Sequence, residues 1–150
     1  MQRSIINQSP LAPFVYVLLF IAYESLSSIY LFLPPLFAIL FVFFINAVKK
    51  EDGVEIFLIS LCLLVYESQM GFPVFSSIIY FGMIYKFVMP KLKKNFDCRS
   101  CIKVASVILS YFGFYLFLVL VSNIFLIPMP SINYYMLYYI VIEFFIVSIL

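Results

Sequence analysis

Histidine and tryptophan are both absent from this 150-residue chain. Without histidine, the side chain most often used for proton transfer near neutral pH and for metal ligation is missing. Charge is scarce too, at 11% of residues, where a soluble domain carries roughly 25%. Glycine occurs only at Gly53, Gly71, Gly82 and Gly113, too scattered to form a phosphate-cradling loop. The two aspartates, Asp52 and Asp97, both fall in polar breaks between apolar runs, so no aspartyl pair can form inside those runs. Together these absences argue against catalysis, against a cofactor and against nucleic-acid binding.

What the chain has is apolar surface. Hydrophobic residues make up 66% of it and aromatics 21%, all Phe and Tyr. A soluble fold could not assemble a polar exterior from these residues, whereas the lipid bilayer is a matching solvent. A helix crossing the roughly 30 Å hydrocarbon layer needs about 20 apolar residues. Six such runs are expected, at about 11–30, 36–48, 54–66, 74–89, 104–126 and 134–150. The breaks are Leu33-Pro34-Pro35, Lys49-Lys50-Glu51-Asp52-Gly53, Gln69-Met70-Gly71-Phe72-Pro73, the basic stretch 90–103, and Ile127-Pro128-Met129-Pro130. Proline ends a helix because it lacks the amide donor and clashes with the preceding turn. The expected fold is an all-α, six-helix transmembrane bundle forming one domain over 1–150. Spans 2 and 3 are short, and a re-entrant pair is the alternative for them.

The first ten residues carry Arg3 and then Asn7, Gln8 and Ser9. The run that follows is too long for a signal-peptide core and lacks a small-x-small cleavage site, so the first span is expected to stay as an anchor. With six spans, Arg3, Lys49, Lys50, Lys86, Lys91, Lys93, Lys94, Arg99 and Lys103 all fall at one end. The loops near 31–35, 69–73 and 127–133 have no Lys or Arg. Basic residues favour the cytoplasmic side, so both termini are expected there. The cluster Lys91, Lys93, Lys94, Arg99 and Lys103 could also attract anionic headgroups, although topology alone accounts for it.

Three glutamates lie in or beside apolar runs: Glu24, Glu67 and Glu143. Intramembrane carboxylates are costly and usually face a bundle interior, a cavity or a partner. Glu24 and Glu67 are expected near the outer interface, still hydrated, and Glu143 deepest. Tyr23-Glu24-Ser25 is echoed by Tyr66-Glu67-Ser68, which suggests either a duplicated hairpin or coincidence. Small and polar patches at Ser25/Ser27/Ser28, Ser76/Ser77/Gly82 and Ser106/Ser110/Gly113 are candidate partner-contact faces, or packing surfaces within the bundle. Cys98-Arg99-Ser100-Cys101 is a lone C-x-x-C in the basic loop, a weak signal for metal or redox chemistry. Cys62 reads as a small buried hydrophobe.

The stretch from Leu58 to Leu92 resembles the central hairpin of the MreD family of rod-shape-determining membrane proteins. That family shows an apolar helix ending in an acidic residue, a Gly/Ser/Pro turn, and a second apolar helix with a basic exit. Glu67 stands where the family usually has Asp, Gly71-Phe72-Pro73-Val74-Phe75 matches the turn, and Lys91, Lys93 and Lys94 match the exit. Phe75 in place of the second turn glycine, and the C-x-x-C, depart from the pattern. The resemblance implies a non-enzymatic scaffold subunit of the bacterial inner membrane. Its partners would be a membrane-anchored MreC-like protein and other peptidoglycan-synthesis subunits. The family's likeness to substrate-binding components of energy-coupling-factor transporters implies an alternative, with an outer cavity lined by Glu24, Tyr23, Glu67 and Tyr66. An accessory subunit of another membrane complex is a third reading.

Overall fold

The computed structural model describes residues 11–129, 131 and 133–150. Arg3, Asn7, Gln8, Ser9 and Pro130 lie outside the described residues. Among those described, the chain is all helical and forms six helices. They are α1 (Ala12–Ile29), α2 (Phe37–Lys50), α3 (Gly53–Met70), α4 (76–95), α5 (Arg99–Phe125) and α6 (Tyr135–Ile149). Three of them, α1, α3 and α5, are long and apolar enough to cross a bilayer.

Each boundary has a local cause. Pro13 sits in the first turn of α1, where a missing N–H costs nothing. Pro34-Pro35 keeps Tyr30 to Leu36 out of helix, and Leu36 enters α2 with a φ of 55°. At the other end of α2, Glu51 adopts a left-handed conformation and its N–H returns to Val48 at 3.2 Å. Asp52 then caps α3, its carboxylate accepting from the Val54 and Glu55 amides at 3.2 and 3.4 Å. Gly71, at φ 71°, ends α3 in the left-handed region glycine tolerates best.

α4 and α5 each contain one π-helical turn, Ile84–Val88 and Leu109–Gly113. In α4 the turn ends two residues before Pro90, which cannot donate to the carbonyl one turn back; widening the helix there absorbs that loss. In α5 the widened turn lies against α4. The Tyr80 hydroxyl donates to the Leu109 carbonyl at 2.6 Å. A Cβ on Gly113 would run into that same hydroxyl.

α2 is the central helix. Eight of its fourteen residues are buried, and it packs against α3, α5 and α6. Phe37 at its start stacks on Tyr66 at 5.0 Å and lies 4.8 Å from Phe114 and 5.1 Å from Phe81. α1 is peripheral: it packs on α3 and buries only Glu24 and Ser27.

Successive helices run between two ends of the bundle. At one end Lys49 lies beside Lys93, and the Lys103 ammonium donates to the Ser148 carbonyl at 3.4 Å. At the other, residues from the 30–36, 70–73 and 127–133 segments surround one cavity. α2 and α3 thus run as an antiparallel pair between the ends and do not turn back halfway. The stretch 90–103 differs from its expectation as a loop. α4 continues to Asn95 and α5 begins at Arg99, so only Phe96, Asp97 and Cys98 stay outside helix, because Cys98 supplies a cap to α5.

Candidate functional site

The three glutamates Glu24, Glu67 and Glu143 are all fully enclosed. This corrects the expectation that Glu24 and Glu67 stay hydrated near an interface. For Glu67 the reason lies at the start of α4, and for Glu143 at the start of α2.

The first amides of any helix have no intrahelical acceptor. Helices usually solve this with a Ser, Thr, Asp or Asn at the cap position. α2 and α4 instead begin after Leu36 and Phe75, both in left-handed backbone conformations, which offer no side-chain acceptor. A carboxylate from another helix fills each vacancy. Glu143 of α6 accepts from the Phe37 amide at 3.1 Å and the Ala38 amide at 2.6 Å, and also from the Tyr111 hydroxyl of α5. Glu67 of α3 accepts from the Phe75 amide at 2.7 Å, the Ser76 hydroxyl at 3.0 Å and the Ser77 amide at 2.5 Å. Each carboxylate also lies at the positive end of the helix dipole, which offsets part of the cost of burying a charge.

Glu24 is different. Neither of its oxygens has a hydrogen-bond partner among the described residues, although its side chain is 0% exposed. The Tyr-Glu-Ser echo therefore does not extend to contacts. Tyr23 donates to the Pro34 carbonyl at 2.8 Å, whereas Tyr66 stacks on Phe37; Glu67 caps a helix, whereas Glu24 caps nothing.

Above this layer, at the end without basic loops, lies a cavity of about 540 Å³. Ser27, Gln69, Ser122, Asn133 and Tyr139 supply its polar lining, with Pro35, Phe72 and Pro73 among its apolar walls. Its volume falls in the range of small-molecule pockets. None of Glu24, Tyr23, Glu67 or Tyr66 lines it. Glu24, Tyr66 and Glu67 are buried and Tyr23 is half-buried against Pro34, while Gly71 and Pro73 of the turn do reach it. The 31–36 segment is tied down from both sides, Ser27 donating to the Leu33 carbonyl at 3.0 Å and Tyr139 to the Leu31 carbonyl at 2.6 Å.

The small-residue patches separate into different roles. Ser106 and Ser110 are buried and hydrogen-bonded within α5, and Gly113 meets Tyr80, so that stripe is internal packing. Ser76 and Ser77 belong to the α4 cap. Ser25 and Ser28 are exposed and bond back to their own helix. At the basic end, Lys91, Lys93, Lys94 and Arg99 are exposed. Cys98 and Cys101 are exposed as free thiols, Cys62 is buried, and no group of three metal-ligating side chains occurs among the described residues.

Tyr111 and Tyr139 were not singled out in the sequence, whereas Ser27 was, as part of a candidate contact face; its bond is instead to the Leu33 carbonyl. One signal bears on Tyr111: α2 starts after an apolar residue, so its cap must come from elsewhere, and Tyr111 shares the carboxylate that supplies it. No family model, curated protein or solved structure matches the chain.

Proposed function

We propose that this chain is a non-enzymatic, multi-pass subunit of the bacterial inner membrane that acts as an MreD-like scaffold in the cell-elongation machinery, with both termini cytoplasmic. The observation that supports this most is the behaviour of Glu67. The acidic helix end, the Gly71–Phe75 turn and the next helix, which carried the resemblance, form one hydrogen-bonded unit around its carboxylate. Such a unit fixes the angle between α3 and α4, as a scaffold needs. Glu67 and Glu143 are both committed to backbone amides, which suits structural roles better than proton transfer. Contacts with an MreC-like partner would be lateral, where association in lipid depends on packing and interhelical hydrogen bonds.

The test is affinity purification of the tagged protein in mild detergent, with co-purifying proteins identified by mass spectrometry. Recovery of an MreC-like protein or of peptidoglycan-synthesis enzymes supports the scaffold. Recovery of paired ATPases with a coupling subunit ends it. That outcome would favour a second reading, a small-molecule binding component of an energy-coupling-factor transporter, for which the cavity of about 540 Å³ is the supporting observation.

A further inference from the structure

Two exposed free thiols lie at the joint between α4 and α5. Cys98 occupies the cap position of the 27-residue helix α5, and Cys101 lies in its first turn. The Cys98 sulfur accepts the Cys101 amide N–H at 3.4 Å, and both side chains are exposed. At a helix start, free amides and the positive end of the dipole stabilise a sulfur anion. Arg99 and Lys103 add positive charge on the same helix, against Asp97 as the adjoining carboxylate. Hydrogen bonding between the two side chains, and then the Cys101 amide, hold the Cys98 thiol below its ordinary range, and the side-chain bond pushes Cys101 upward. Two sulfurs one helical turn apart are thus unequal: Cys98 sits at the cap position and accepts a free amide, while Cys101 lies inside the first turn.

We propose that Cys98 and Cys101 form a thiol–disulfide exchange site whose co-reactant is a low-molecular-weight disulfide, with Cys98 attacking and Cys101 resolving. The Cys98 thiolate attacks one sulfur of the disulfide, forming a mixed disulfide and releasing one thiolate, which takes up a proton. Cys101 then loses its proton and attacks the Cys98 sulfur, closing the Cys98–Cys101 bond and expelling the second thiol. The two protein thiols are oxidised and the small disulfide is reduced to two thiols. The helix start, with Cys101 beside it, supplies the activation in place of a βαβ frame of the thioredoxin kind, since the described residues are all helical outside their turns. Closure would tie the cap of α5 to its first turn and stiffen the joint that separates the two halves of the basic end.

The experiment uses the full-length protein in mild detergent, exposed to oxidised glutathione at neutral pH, quenched by alkylation and mapped by peptide mass spectrometry. The wild type should close an internal Cys98–Cys101 disulfide. Cys101→Ser should retain glutathione on Cys98. Cys98→Ser should react about tenfold more slowly than Cys101→Ser, because only Cys98 sits at the cap, where free amides and the dipole favour a thiolate. Cys62→Ser, a change in the buried interior of α3, should leave this pattern intact. Equal rates for the two single variants would overturn the proposal, as would a wild type that accumulates mixed disulfide without closing.

Discussion

The Ala38 amide donates to the Glu143 carboxylate at 2.6 Å across 105 residues of sequence. That bond joins the last helix to the start of the central one, and the Phe37 amide and Tyr111 hydroxyl share the same carboxylate. Removing it leaves two amides and a hydroxyl without a partner in an apolar core. We predict that Glu143→Ala lowers unfolding stability in detergent by about 3 kcal/mol. Glu143→Gln keeps one acceptor and should cost roughly 1 kcal/mol. Equal melting temperatures for wild type and Glu143→Ala would show that the cap carries no weight.

Tyr80 and Gly113 make a second test, because the absence of a side chain at one is what lets the other reach Leu109. We predict that Gly113→Ala destabilises by about 1–3 kcal/mol through overpacking. In a Tyr80→Phe background the colliding hydroxyl is already gone, so the same change should cost much less. Strict additivity in this double-mutant cycle would exclude the contact.

The helices themselves were legible in the sequence because apolar runs and proline breaks are local signals. The end-to-end segregation of Lys and Arg was legible for the same reason. The roles of the glutamates were not. A carboxylate such as Glu143 that caps a helix starting 106 residues away leaves no local trace, and Leu36 and Phe75 look like ordinary apolar residues. Reading Glu67 as hydrated failed because the α4 amides that enclose it come from beyond the Gly71–Pro73 turn. The widened turn at Leu109–Gly113 was equally hidden, since its cause is the tyrosine it accommodates on α4.

Orientation can be tested with the native cysteines. If the basic end is cytoplasmic, a membrane-impermeant maleimide added to intact cells should leave Cys98 and Cys101 unlabelled. Gln69→Cys, exposed beside the opposite cavity, should be labelled. Labelling of Cys98 from outside, with Gln69→Cys protected, would invert the proposed topology.

Glu24 yields the prediction that separates structure from function most sharply. Its carboxyl group is fully enclosed and has no hydrogen-bond partner among the described residues. A buried ionisable group in that position opposes folding, and an apolar residue of similar size should relieve the cost. We predict that Glu24→Leu raises stability in detergent by about 1–3 kcal/mol, the opposite sign to Glu143→Ala. A residue that destabilises the fold and is nonetheless present is best explained by a task, since stabilising changes commonly reduce function where a site is strained. Glu24→Leu should therefore fail to replace the wild type in cells while remaining fully folded. If Glu24→Leu is instead less stable, the carboxyl group has a partner in the membrane. If it is more stable and fully functional, no task for Glu24 remains.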